Sequence, residues 1–272
     1  EENSTASVVL SWMAKGNLLI PHTILHESRK YVVIKICENS FKENHRIRSI
    51  KFEKGSELQS IEKNAFLGSS IQMISIPPKV NKIDDCAFHE CKNLKTVTFL
   101  PNSELQIIGN EAFSYSSIES ITIPNKVIQI GSHAFYWCTK LRNFEFQNDS
   151  QLKLIDKEAF SYSSLSKISI PQSVEIIENS AFSYCLNFEN IEFAEDSKIE
   201  FIASQVFSNS KLIEITIPKS VKHIEEFAFS MCKFIQKVEF EQNSELISIS
   251  EFAFFNSSIP SIIIPQHVET IS

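Results

Sequence analysis

The feature that most constrains this chain is a phenylalanine that returns on a fixed beat. Ala-Phe recurs at Phe66, Phe88, Phe113, Phe135, Phe160, Phe182, Phe229 and Phe254, with degenerate copies at Ser40-Phe41 and Val206-Phe207. The steps alternate between 25 and 22 residues, so two unlike units form a dyad of 25 + 22 = 47. Five positions before each Phe stands an isoleucine, from Ile36 and Ile61 to Ile224 and Ile249. A period this short means that no unit can close a core alone; stacked units bury a continuous one, and the expected architecture is a solenoid.

In the shorter unit the apolar pattern runs Ile118, Ile121, Ile123, Pro124, Val127, Ile130, Ala134, Phe135. In the longer unit it runs Leu94, Val97, Phe99, Ser103, Leu105, Ile108, Ala112, Phe113. Val97-Thr98-Phe99 and Ile121-Thr122-Ile123 alternate with period two, so each unit opens with a short strand. Pro77, Pro124, Pro171, Pro218 and Pro265 stand at strand exits, where a missing N–H stops the ladder. The expectation is one parallel sheet of about ten short strands beginning at Ile47, Ile71, Leu94, Ile118, Leu141, Leu165, Phe188, Leu212, Ile235 and Ile259. The return path is expected to contain short helical turns. Phe66, Phe88, Phe113, Phe135, Phe160, Phe182, Phe207, Phe229 and Phe254 then form the structural core column.

The period and the text I-P-x-x-V-x-x-I-x-x-x-A-F-x-x-C resemble the BspA-like (Treponema-type) leucine-rich repeats, from about Leu18 to the last residue. Gly after the second isoleucine, frequent in that family, survives only as Gly109 and Gly131. The resemblance implies a right-handed leucine-rich-repeat solenoid of the α/β horseshoe class. It also implies a protein of the surface of a mucosal bacterium or parasitic protist, associated with adhesion to host cells, matrix proteins or other microbes. Residues 1–41 read as an N-terminal cap and first partial repeat, and 42–272 as alternating repeats. A hairpin around Glu27-Ser28-Arg29-Lys30, with Ser7 to Trp12, is expected to cap the open sheet edge. The next Phe is due at 254 + 22 = 276, so the chain reads as a piece of a longer array.

Charge and composition exclude several functions. Twenty-six basic against 33 acidic residues give a net charge of −7, contrary to a phosphate-binding footprint, so nucleic acid is not an expected partner. No apolar run approaches the roughly 20 residues of a membrane span, and no direct insertion by this segment is expected. The five glycines are too scattered for a phosphate loop. The seven histidines occupy unrelated repeat positions, read as exposed loop residues, and form no triad. Cys91, Cys138, Cys185 and Cys232 step by 47, two units apart and about 9.6 Å at strand spacing, beyond the roughly 7 Å that a disulfide spans. They read as core thiols; Cys37 and Cys86 stay unassigned. No enzyme, cofactor or metal is expected.

Two candidate partner-binding rows remain. Tyr115, Trp137, Tyr162 and Tyr184 fall two residues after Phe in four successive units, with Tyr136 adjacent, and Tyr and Trp are the side chains enriched at binding hot spots. The competing reading is an aromatic ladder that packs on itself. Glu145, Glu192 and Glu239 form an outward strand row two units apart, for which a solvated face is the default reading and a binding face the competing one. Asn-x-Ser/Thr triplets at Asn3, Asn148 and Asn256 permit a secreted setting. The reading is a non-enzymatic protein-binding module with an unidentified protein partner, at the cell surface or secreted; the alternative is an intracellular scaffold or regulatory repeat protein.

Overall fold

The structure, a computed structural model, describes residues 4–9 and 13–272. Asn3 and the Leu10–Trp12 part of the expected cap lie outside the described residues. Each unit forms one rung of a parallel β-solenoid, and rungs stack in sequence order. Four-residue strands recur as Met73–Ile76, Thr96–Phe99, Ser120–Ile123, Asn143–Phe146, Lys167–Ile170, Asn190–Phe193, Glu214–Ile217 and Lys237–Phe240. They begin about two residues later than the expected starts, and Ser261–Pro265 carries no strand of its own.

One sheet was expected; two ladders run along the rod. The second is built from two-residue strands ending at the isoleucine five before Phe, from Ser60–Ile61 through Ile176–Ile177 and from Phe201–Ile202 to Thr270–Ile271. Two residues are too few to show period-two alternation, which hides this ladder from pattern reading. At the N-terminal end Thr23–His26 pairs antiparallel with Arg29–Ile36 through a turn at Glu27 and Ser28, both with positive φ. Thr5–Val8 pairs parallel with the same long strand and covers its outer edge.

The expected helical turns are corrected as well: no helix occurs among the described residues. Around Phe160, alternate amides close local turns and reach the next rung. Ala159, Ser161 and Ser163 N–H donate three residues back to Asp156, Glu158 and Phe160 carbonyls. Glu158, Phe160 and Tyr162 N–H donate to Asn179, Ala181 and Ser183 carbonyls one rung on. A helix would spend every amide internally; dividing them makes the turn a third ladder. The division requires left-handed backbone at two sites per turn, φ 54° at Glu158 and 59° at Tyr162.

The core is the phenylalanine column. Phe66 and Phe88 rings lie 4.9 Å apart at 1°, Phe160 and Phe182 5.3 Å apart at 1°, and the series runs unbroken from Phe41 to Phe254. All are buried except Phe254, which is partly so. The widest step, 6.0 Å, separates Phe182 from Phe207, where the Phe188 ring packs against both.

Strand pairing alternates between tight and loose with the 47-residue dyad. Ser120–Ile123 pairs with Asn143–Phe146 over all four residues, and Lys167–Ile170 with Asn190–Phe193 likewise. Between dyads the register shrinks to two pairs, Ser49 with Met73 and Ile50 with Ile74, or to one, Ser120 with Thr96 or Asn190 with Glu214, and between Asn143–Phe146 and Lys167–Ile170 it vanishes. A proline stands at each loose exit. Within a dyad Gln147 and Ala194 N–H donate to Ile123 and Ile170 carbonyls; across dyads Pro171 and Pro218 hold that position and have no hydrogen to give to Phe146 and Phe193.

Candidate functional site

The aromatic row sits in the turn ladder, at the second left-handed position of each rung. Elsewhere Gly68, Asn209 and Asn256 fill this position at little cost, while Glu90 and Met231 hold it at φ of 54° and 58°. Tyr115, Trp137, Tyr162 and Tyr184 hold φ of 55° to 59° with bulky side chains, an arrangement that costs on the order of 1 kcal/mol or more per residue. Four consecutive rungs accept that cost.

The rings stack along the rod. Trp137 and Tyr162 centroids lie 4.4 Å apart at 22°, Tyr162 and Tyr184 4.6 Å apart at 4°, and Tyr115 and Trp137 6.0 Å apart at 20°. Tyr136, from the neighbouring column, stands edge-on to Tyr115 at 5.6 Å and to Tyr162 at 5.7 Å. Interior ring faces are therefore consumed by the stack, which leaves ring edges exposed. Tyr115, Trp137 and Tyr184 remain 37%, 41% and 41% exposed, and Tyr136 and Tyr162 are half-buried. Burial raises the Tyr136 and Tyr162 phenols above their ordinary range, with neighbouring tyrosines and Glu158 adding to the rise.

Two histidines read as exposed loop residues prove to be half-buried members of this edge. His89 stands edge-on to Tyr115 at 5.7 Å, with Nδ1 3.3 Å from Glu111 Oε2. His133 stands edge-on to Tyr136 at 5.2 Å, with Nε2 3.3 Å from Glu158 Oε2 and Nδ1 2.7 Å from Ser132 Oγ. His89 lies one residue after Phe88 and Glu111 two before Phe113, on different columns, which conceals that pairing in sequence; His133 and Glu158 share the column two before Phe.

Glu145, Glu192 and Glu239 project from the long-strand face, a different part of the rung, so they and the aromatics lie on separate surfaces. Glu192 accepts from Ser169 Oγ at 3.0 Å, and Glu239 lies 2.9 Å from Lys237 Nζ. No group of three metal-ligating side chains occurs among the described residues, and no helix there is long and apolar enough to cross a membrane.

The cysteine column is a hydrogen-bonded thiol ladder. All six cysteines are free, and Cys91, Cys138, Cys185 and Cys232 are buried. Cys185 Sγ donates to the Phe160 carbonyl at 3.0 Å and meets Ser163 Oγ at 3.4 Å; the other three repeat this geometry. Burial pushes the Cys91, Cys138 and Cys185 thiols up to about 12 and Cys232 up to about 11. These are inert packing groups.

With this geometry in place, the comparisons are specific. The BspA type leucine rich repeat region matches in six copies over residues 28–142, 106–200 and 153–272. A leucine-rich repeat protein from Bacteroides ovatus is similar at 26% identity and TM-score 0.70 over 86% of this chain. The pneumococcal vaccine antigen PcpA is similar in fold at 24% identity and TM-score 0.64 over 97% of it. A leucine rich cell surface protein from Faecalibacterium prausnitzii is similar in fold at 20% identity and TM-score 0.52, with 100% of this chain and 85% of that one covered. The chain spans 62% of the Bacteroides ovatus protein and 64% of PcpA. No curated protein matches it.

Proposed function

The chain belongs to the BspA-type leucine-rich repeat family, and on that premise we propose that it is a non-enzymatic protein-binding module, displayed at a cell surface and used in adhesion, whose contact edge is the aromatic row. The observation that carries this reading is the backbone beneath the rings. Tyr115, Trp137, Tyr162 and Tyr184 occupy left-handed positions that Gly68, Asn209 and Asn256 fill more cheaply in other rungs and that Glu90 and Met231 fill at similar φ, and the four aromatics are consecutive. Self-stacking returns roughly 0.5–1.5 kcal/mol per pair, about the size of the strain, so stability gives little reason for the aromatics and recognition gives one. Ring edges four rungs long form a stripe of about 15–20 Å at strand spacing, suited to a protein surface. The family resemblance supports the surface setting and the adhesive role.

Beads coated with the protein, applied to epithelial monolayers, test the reading. Wild-type beads should adhere and Trp137→Ser/Tyr162→Ser beads should not, with the variant still folded by circular dichroism at the assay temperature although its melting temperature falls. Equal adherence of the two would remove the stripe from the contact. N-linked glycan on Asn148, exposed in the turn after Asn143–Phe146, would support passage through a secretory route over an intracellular scaffold.

A further inference from the structure

Among the described residues, the seam between Asn143–Phe146 and Lys167–Ile170 is the one place where two successive long strands share no register pair. Three bonds that would close it are missing or weak. At entry the Ser166 side chain, not its amide, reaches the Arg142 carbonyl, at 3.4 Å. At exit Pro171 has no hydrogen to donate. Beyond it Ser173 Oγ is buried without a partner, whereas the equivalent Ser220 Oγ, 47 residues on, donates to the Ile199 carbonyl at 2.8 Å. A groove of about 820 Å³ lies over this seam.

The next equivalent groove, 47 residues on, is only about 280 Å³, and the one after it, 94 residues on, is about 800 Å³. A lysine and the strand pairing both set the middle seam apart: it keeps the Asn190–Glu214 pair, whereas residues 261–265 of the last rung form no strand. Lys219 Nζ crosses the middle seam to Asp196 at 2.6 Å, while Gln172 and Gln266 stand in its place beside Asp149 and Asn243. The two open grooves are chemical copies. Glu145, Asp149, Ser150 and Gln172 in the first correspond to Glu239, Asn243, Ser244 and Gln266 in the second, over Phe146 and Phe240.

We propose that the open seam binds an uncharged oligosaccharide, and that its copy four rungs away, about 19 Å at strand spacing, takes a second segment of the same polymer. Planar carboxylate and carboxamide groups, joined by a hydroxyl, can accept from and donate to adjacent sugar hydroxyls, and the phenylalanine offers a surface for the C–H side of the ring. An extended peptide would need apolar pockets for its side chains, but Phe144 and Ile168 under the seam are 5% and 2% exposed and already sealed. The acidic Glu145, Asp149 and Glu192 are nearly balanced by Lys167 and Lys198, which favours an uncharged ligand. This site is separate from the aromatic stripe.

Calorimetric titration with uncharged hexasaccharides of glucose, mannose and N-acetylglucosamine, beside a pool of random twelve-residue peptides, tests the proposal. At least one hexasaccharide should bind. Gln172→Lys, which installs the crossing lysine opposite Asp149, should weaken it at least tenfold with an unchanged melting curve; Lys219→Gln, which opens the middle seam, should add a site. Trp137→Ser should leave saccharide binding intact, which separates this result from the fate of the stripe. Silence of all three hexasaccharides, binding indifferent to Gln172→Lys, or peptide binding that Gln172→Lys abolishes would each overturn it.

Discussion

The rings of Trp137 and Tyr162 stack at 4.4 Å although each residue holds a φ that bulky side chains avoid, 55° and 59°. Stack and strain oppose each other at the same residue, and substitutions can separate them. Tyr162→Gly removes both, whereas Tyr162→Ala removes the stack and keeps the strain. The alanine variant should be the less stable by about 1 kcal/mol in urea denaturation. An alanine variant as stable as the glycine variant would show that the backbone there is relaxed.

Phe160 sits mid-column, fully buried between Phe135 at 5.4 Å and Phe182 at 5.3 Å. Phe160→Ala leaves a cavity that neighbouring rungs, held by their own ladders, cannot fill, at a cost of roughly 3–5 kcal/mol. Thermal unfolding followed by circular dichroism should show a large drop in Tm. An unshifted transition would contradict the column's place in the core.

The buried thiols make stability fall in alkali. Their folded pKa lies above the unfolded value, so the folded state holds protons that the unfolded chain has released. Stability from this source is complete below about pH 9 and declines as pH rises toward the folded value of about 12. Cys138→Ser/Cys185→Ser, which places in the column the residue that alternates with cysteine there, should flatten the decline of the urea midpoint between pH 8 and 11. In native protein a thiol reagent should modify Cys37 and Cys86, both partly exposed, before the other four. Equal rates for all six would refute the burial.

Much of this was readable from residues. The Phe column, the spacing that keeps Cys138 from Cys185, and the row of Tyr115, Trp137, Tyr162 and Tyr184 all follow from one fact, that stacking turns period into proximity. Strands as short as Leu154–Ile155 were not readable, because two residues carry no alternation, and the turn at Phe160 imitates a helical signal while its amides point two ways. The partnership of His89 with Glu111 was hidden because its members occupy different columns, one residue after Phe88 and two before Phe113. The open seam was half visible. Pro171 announced a missing donor, but Pro124 and Pro218 announce the same, and only geometry shows which gap loses its register altogether.

Proline's part in the loosened seams is testable by restoring a hydrogen. Pro218→Ala supplies an N–H where the Phe193 carbonyl has none to meet, and the new amide should be protected from hydrogen exchange, with stability changed by no more than about 1 kcal/mol. Rapid exchange at residue 218 would mean that something other than the missing donor holds these rungs apart.

Cross-linking tests the stacking register most directly. Ser169 and Glu192 are register partners on adjacent rungs, while Ser169 and Thr216, a full 47 residues apart, lie two rungs apart at about 9.6 Å. In a background without native cysteines, Ser169→Cys/Glu192→Cys should form an intramolecular disulfide under mild oxidation, and Ser169→Cys/Thr216→Cys should not. Ready cross-linking of the second pair and none of the first would contradict the rung order on which the fold and both proposed sites depend.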